Sequence, residues 1–165
     1  MYELEALAAN VAGLLKERGE TVAVAESSAG GLISAALLAV PGASAYFLGG
    51  GVIYTRDARE ALMGFSDAEL KGIRSSSEPY AVRLAERVRE KLDTDWGIGE
   101  TGAAGPSGNR YGDAAGHTCI AIAGPMPQVI TVETASPDRA RNMWRFTAEA
   151  LDLFERTLKL GVGLA

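Results

Sequence analysis

The chain predicts a three-layer α/β/α domain built on a mixed sheet. Helical and extended patterns alternate through the first half, which argues for parallel strands with helices on both faces, and two adjacent extended runs late in the chain add an antiparallel hairpin. At 165 residues and 47% hydrophobic composition, the chain is long enough for one globular domain with a real core and too short for two of comfortable size. A single α/β domain over 1–165 is therefore expected.

Leu4, Leu7, Ala8, Val11, Leu14 and Leu15 recur at the helical period and stop at Gly19, which marks an amphipathic first helix. Thr21 to Ala25 reads as a short buried strand, and GGLISAALLAV from Gly30 reads as a helix ended by Pro41-Gly42. Tyr46 to Thr55, YFLGGGVIYT, sets strand formers around three glycines, where a bulge or a close backbone approach is expected in place of a regular pleat. Asp57 and Ser66 are each placed to cap a short helix. Ser77-Glu78-Pro79 opens a longer one with Ala81, Leu84, Val88 and Leu92 on one face. Asp95 to Thr101 follows as a strand, and a glycine-rich segment from Gly102 to Gly116 crosses to HTCIAIA and QVITVETA, paired through the hairpin-length loop GPMPQ. Ser136-Pro137 then caps a final helix with Trp144, Leu151, Phe154 and Leu158 facing inward.

Composition removes several function classes. Sixteen Lys+Arg against 21 Asp+Glu leave a formal charge of −5, which argues against sequence-independent binding of nucleic acid or of an anionic membrane. An anionic ligand must be met by local groups. One cysteine, Cys119, forms no intramolecular disulfide, and with one histidine, His117, it offers no zinc spacing, so no metal is expected. The amino terminus opens on acidic residues and has no signal-peptide pattern, and no run of 18 apolar residues occurs; a cytoplasmic protein is expected.

Gly97 to Gly102, GIGETG, matches the dinucleotide pattern G-x-G-x-x-G, but here the glycines fall inside a strand and no helix opens after them. Close packing of that strand against a neighbour explains the letters better. The phosphate-loop and nucleophile-elbow patterns are absent. A Ser-His-acid triad would have to use His117 at the start of a strand, where a structural or surface histidine is the better reading. AVAESSAGG at 23–31 is different: two serines leave the carboxyl end of a strand and run into paired glycines that open a helix. That is where open α/β sheets bind ligands and where free backbone N–H groups meet an anion, although turn chemistry accounts for the serines equally well on spacing alone.

What tips the balance is the company this segment keeps. AESSAGG at 25–31, PGASAYFLGGGVIYTRDARE at 41–60, SSEP at 76–79, TGAAGP at 101–106 and Asp138-Arg139 before the last helix follow one another in fixed order. The chain resembles the CinA carboxy-terminal domain family, which includes nicotinamide mononucleotide deamidases and whose usual forms are AESCTGG, PGSSAxFxGGxVxYSNEAK, VSEP, TGIAGP and a late GDR. The resemblance implies hydrolysis of the carboxamide of a small-molecule pyridine nucleotide, nicotinamide mononucleotide, to the carboxylate with release of ammonia. It also implies no metal or organic cofactor, and a homo-oligomer.

Carried over by position, Ser27 is the nucleophile and Tyr54 the tyrosine of YSNEAK, able to relay protons. Arg59 stands where that motif has lysine, and Arg139 is the Asp-Arg arginine, suited to a phosphate or carboxylate. Ser28, Gly30, Gly31, Thr101 and Gly102 complete the expected substrate contacts, with the N–H groups near Gly30 holding the oxyanion. Arg59 cannot take a proton as lysine can, and is expected to act electrostatically. Ala29 replaces a threonine, and Met143 stands where the family has a further arginine, with Arg141 and Arg145 read as a solvated helix face. A nucleotide-binding homologue with weakened turnover, or a hydrolase of a different amide, is the alternative that Arg59 raises. The 102–116 segment, with Arg110 and Tyr111, is long for a connection and reads as a lid or a subunit contact.

Overall fold

β1 (Val22–Glu26) lies inside a five-stranded sheet of order β2-β1-β3-β4-β5, with β2 at Phe47–Val52, β3 at Trp96–Ala103, β4 at His117–Ala123 and β5 at Gln128–Glu133. β1 pairs parallel with β2 and with β3, while β4 runs antiparallel between β3 and β5. The expected mixed sheet is thus present, its parallel half from the early crossovers and its antiparallel half from the late hairpin. The computed structural model describes residues 4–161, so the two ends of the expected 1–165 domain lie outside the described residues.

Alternation along the strands sorts side chains into two layers. Val22, Val24, Trp96, Ile98, Ile120 and Ile122 point to one face, where they pack with α1 (Glu5–Arg18), α2 (Leu32–Leu38) and α5 (Arg139–Leu160). Leu151, Phe154 and Leu158 of α5 are fully buried there, and Trp144 is half-buried at the margin. The opposite face presents small residues: Ala23, Ala25, Gly97, Gly99, Cys119, Ala121 and Ala123. Over them lies α4 (Glu78–Leu92), whose backbone approaches β3 so closely that a Cβ at Gly99 would stand 2.7 Å from the Ala85 nitrogen. This close approach is the reason for Gly97 and Gly99 of GIGETG, while Gly102 is crowded by His117 and Thr118 of the neighbouring β4.

The glycines of β2 also behave as expected. Register slips between Val22 opposite Phe47 and Ala23 opposite Gly49, so Leu48 is the extra residue of a bulge. The strand ends at Val52, short of Thr55, because Thr55 turns to cap α3 (Arg56–Ala58), its hydroxyl accepting from the Ala58 N–H at 3.1 Å. Thr55, and not Asp57, is therefore the cap, and α3 runs on as a π-helical turn over Arg59–Met63. Ser66 forms a reciprocal capping box with Glu69, yet the segment it opens is a turn and not a helix. Ser77 caps α4 as expected. α5 starts later than expected: its cap is Asp138, whose carboxylate accepts from the Arg141 N–H, while Ser136 accepts from Asp138 outside the helix. Aspartate caps as well as serine does, so the two positions were close competitors.

Candidate active site

Ser27, Tyr54 and Thr101 all follow or end the carboxyl ends of the three parallel strands, and together they line a cavity of about 530 Å³. Gly102 and Arg59 line it as well, with Arg56, Arg74, Ser76, Tyr80, Arg110 and Tyr111 among its other walls. The structure therefore brings together five of the nine residues singled out from the sequence. Ser28, Gly30, Gly31 and Arg139 lie outside the lining.

The reason lies in two buried carboxylates. Glu26 Oε1 accepts from the N–H groups of Gly31 (2.8 Å) and Ile33 (3.1 Å), and Oε2 accepts from the Ser34 N–H and hydroxyl, both at 2.9 Å. The chain's own carboxylate thus fills the anion cradle at the start of α2. Burial lifts the Glu26 pKa against the opposing pull of its bonds to Ser34 and Ile33. The expectation that amides near Gly30 hold an oxyanion is corrected accordingly, for the Gly30 N–H donates to the Ser27 carbonyl at 3.0 Å. Both glycines adopt positive φ, 70° and 97°, and this consecutive left-handed pair folds the turn back over Glu26.

Glu100, fully buried on β3, holds the serine turn itself. Its Oε2 accepts from the N–H groups of Ser27 (3.0 Å) and Ala29 (2.9 Å), and its Oε1 from the Ser28 and Thr118 hydroxyls. With four donors on two oxygens, Glu100 is saturated and positions Ser27 without facing the cavity. The Ser28 side chain is corrected from a substrate contact to a strut of this turn. The Ser27 hydroxyl and the Ser28 N–H take no part in the network, and Ser27 lies on the cavity. Glu26 and Glu100 were missed in the sequence, although the first sits inside AVAESSAGG and the second inside GIGETG.

Arg139 also departs from expectation. Its fork donates to the Gly105 carbonyl (2.5 Å) and to the Tyr54 hydroxyl (3.1 Å), so it fixes Tyr54 at the rim instead of entering the cavity. Met143 packs against Gly30, while Arg141 and Arg145 lie exposed, the latter paired with Glu149. Within the cavity the cations are unevenly matched. Arg56 pairs with Glu60 and Asp67, and Arg74 with Asp113. The Arg59 Nε is buried with no hydrogen-bond partner among the described residues, and no carboxylate, imidazole or amine lines the cavity. Thr101 accepts from the Ser76 N–H at 3.0 Å, tying β3 to the 73–77 wall.

His117 supports that wall from behind. Its Nδ1 lies 2.5 Å from Glu133 Oε1 and its Nε2 2.8 Å from the Ser76 carbonyl; it is structural, as the sequence suggested. Burial alone would lower its pKa, but Glu133, the Ser76 carbonyl and Asp113 outweigh burial, and the net direction is up. Both acceptors are met only by the imidazolium. The stability this gives is complete below the unfolded pKa of about 6.5 and is lost as pH rises through the higher folded value. The thermal-midpoint advantage of wild type over His117→Asn is therefore expected to shrink between about pH 6 and pH 9. A difference that stays constant over that range would mean the ring is held neutral.

The 102–116 segment is fastened at several points. Asn109 accepts from the N–H groups of Tyr111 and Asp113 and donates to the Asp113 carboxylate, which in turn grips Arg74 through both oxygens. No helix of the described residues is long and apolar enough to cross a membrane, and no group of three or more His, Cys, Asp or Glu among them is placed to hold a metal ion.

The "CinA-like protein" of Gloeobacter violaceus is 38% identical over 156 residues, covering 93% of this chain and 37% of that protein. The "CinA-like protein" of Prochlorococcus marinus is 46% identical over 121 residues, 73% of this chain and 28% of that one. The chain thus spans less than two fifths of the length of these curated relatives. Among solved structures, a competence-damaged protein (CinA) superfamily protein from Enterobacter cloacae superposes with a TM-score of 0.87 at 28% identity, covering 94% of this chain and 92% of its own. The competence/damage inducible protein CihA from Agrobacterium tumefaciens gives 0.84 at 26% identity, over 93% and 94%. A family model described as the CinA C-terminal domain matches residues 4–158, and the chain belongs to that family.

Proposed function

We infer that the protein is an amidohydrolase that converts the carboxamide of nicotinamide mononucleotide to the carboxylate and releases ammonia. The observation that carries this reading is the Ser27 hydroxyl, free of the network around it, on a cavity walled by four arginines and no carboxylate. Membership of a family that includes nicotinamide mononucleotide deamidases supplies the amide. An unactivated amide needs a nucleophile, a donor for the developing oxyanion and a proton for the leaving amine. Ser27 is the nucleophile, and the Ser28 N–H, the amide next in the chain, is the oxyanion donor in place of the occupied amides at Gly30 and Gly31. Arg59, its Nε without a partner among the described residues, and Arg110 meet the phosphate of the nucleotide. Tyr54, oriented by Arg139, closes the rim over the substrate. No step calls on a metal or an organic cofactor.

Ammonia release from nicotinamide mononucleotide by purified protein tests the reading, with Ser27→Ala expected to lower the rate by about 10³-fold or more. If wild type releases no ammonia while calorimetry still detects the nucleotide, the hydrolase reading fails and the cavity is that of a receptor.

A further inference from the structure

We propose that Tyr111, carried on the 102–116 segment, is the general base that takes the proton of Ser27. The proposal rests on the reading of Ser27 as nucleophile given above. Among the residues lining the cavity there is no carboxylate, imidazole or lysine, and an arginine does not release its proton in proteins. The two acids beside the serine turn, Glu26 and Glu100, are each consumed by four donors and neither lines the cavity. The groups of the lining that can exchange a proton with a serine are therefore the phenols of Tyr54, Tyr80 and Tyr111.

Their settings differ. Tyr54 is exposed at the rim, its hydroxyl fixed by Arg139. Tyr80, on the first turn of α4, is buried, and burial raises its pKa although the Arg59 guanidinium pulls the other way. Tyr111 stands among cations. Arg110 Nη2 donates to its hydroxyl at 2.9 Å, and the guanidinium carbons of Arg110 and Arg74 lie 5.0 Å and 5.1 Å from its ring centre. The hydrogen bond from Arg110, opposed by partial burial and reinforced by Ser75 and by the charges of Arg110 and Arg74, lowers its pKa. The charged groups facing it are Arg110 from its own segment and Arg74 from the 73–77 wall, the latter offset in part by its ion pair with Asp113, so Arg110 is the principal cation. Tyr111 is the phenol of the lining that two guanidinium groups flank, and both favour its phenolate.

The step balances. As the Ser27 oxygen forms its bond to the carboxamide carbon, its proton passes to the Tyr111 phenolate, and the carbonyl π pair moves onto oxygen. When that pair returns, the C–N bond breaks and Tyr111 gives the proton to the departing nitrogen, which leaves as ammonia. Water then repeats the sequence on the acyl-serine: Tyr111 takes its proton, the hydroxyl adds to carbon, and Ser27 leaves with the proton returned.

Two readouts on the intact protein test this. One is the rate at which a fluorophosphonate reagent modifies Ser27, followed by intact mass from about pH 6 to about pH 10, and the other is ammonia release from nicotinamide mononucleotide over the same range. Wild-type rates are expected to rise with pH to a plateau. Tyr111→Phe keeps the ring and its contacts with the guanidinium groups, and is expected to lower both rates by about 10²–10⁴-fold and to abolish the rise. Arg110→Gln keeps the hydroxyl but removes its cation, and is expected to move the rise to higher pH in both readouts, while ammonia release also falls because the nucleotide phosphate loses a partner. A merely structural role for Tyr111 would not move that limb. Tyr111→Phe with wild-type rates and the same rise would overturn the proposal. So would a wild type whose Ser27 is inert to the reagent at every pH. Tyr111-dependent modification without ammonia release sinks the substrate reading and leaves Tyr111 as the base, whereas ammonia release with a profile indifferent to Tyr111 does the reverse.

Discussion

Glu100→Leu is expected to destabilise the protein by about 3–5 kcal/mol, while Glu100→Gln costs less than about 1.5 kcal/mol. The carboxylate sits at 0% exposure and carries four donors: the N–H groups of Ser27 and Ala29 on one oxygen, the hydroxyls of Ser28 and Thr118 on the other. Leucine matches the volume and accepts nothing, so two buried amides and two buried hydroxyls lose their partner together. Glutamine can keep its carbonyl oxygen toward the two amides and turn its NH₂ toward the two hydroxyls. A hydroxyl accepts as readily as it donates, so both can reverse their roles. The substitution also removes one of two buried negative charges, since Glu26 lies close enough for Glu100 to raise its pKa. Urea unfolding of the three proteins checks the order. If leucine is tolerated like glutamine, the turn around Ser27 is held by its glycines and not by the carboxylate.

Much of the fold was legible because its elements announce themselves locally. The helical period from Leu4 to Leu15, the alternation of strand and helix and the late hairpin each follow from spacing within one segment. Caps were less secure, since Thr55 and Asp57, or Ser136 and Asp138, are neighbours with nearly equal capping strength, and tertiary packing chose between them. The convergence of these residues was legible too: Ser27, Tyr54, Thr101 and Gly102 line one cavity because parallel strands end at one edge.

What each residue does there was harder to read. An anion cradle at a helix start looks the same in sequence whether a ligand or the protein's own Glu26 fills it, and only the fold shows that Glu26 reaches Gly31, Ile33 and Ser34. Glu100 is a further step removed. It supports the serine turn from a strand more than 70 positions away in the chain, and no periodicity or spacing within either segment links the two. Arg139 was read as a ligand-binding arginine because a free guanidinium suits a phosphate, but a guanidinium suits a carbonyl and a phenol as well.

Gly99→Ala is expected to cost about 3 kcal/mol or more, at or beyond the upper end for added volume in a packed core. A Cβ at this position would fall well inside van der Waals contact of the Ala81 carbonyl oxygen, 2.7 Å from the Ala85 nitrogen and 3.1 Å from the Leu84 Cβ. Two of these three obstacles are helix backbone, which no rotamer change can move, so α4 must lift from the sheet as a body. That displacement reaches the cavity, because Tyr80 on the first turn of α4 lines it and Ser76 just before the helix holds both Thr101 and His117. Gly13→Ala is the natural counterpart. Gly13 lies within α1 with nothing inside 4 Å of the added carbon, so the change should stabilise by roughly 0.5–1 kcal/mol through helix propensity and the reduced freedom of the unfolded chain. Chemical denaturation measures both, and binding of nicotinamide mononucleotide, the proposed substrate, to Gly99→Ala shows whether the cavity moved with the helix. Loss of stability with unchanged binding would mean that α4 yields locally around Ala81 and Ala85 and that its first turn is anchored independently by Ser77. Loss of both would mean that the spacing between β3 and α4, set by one missing methyl group, is also what sets the shape of the site.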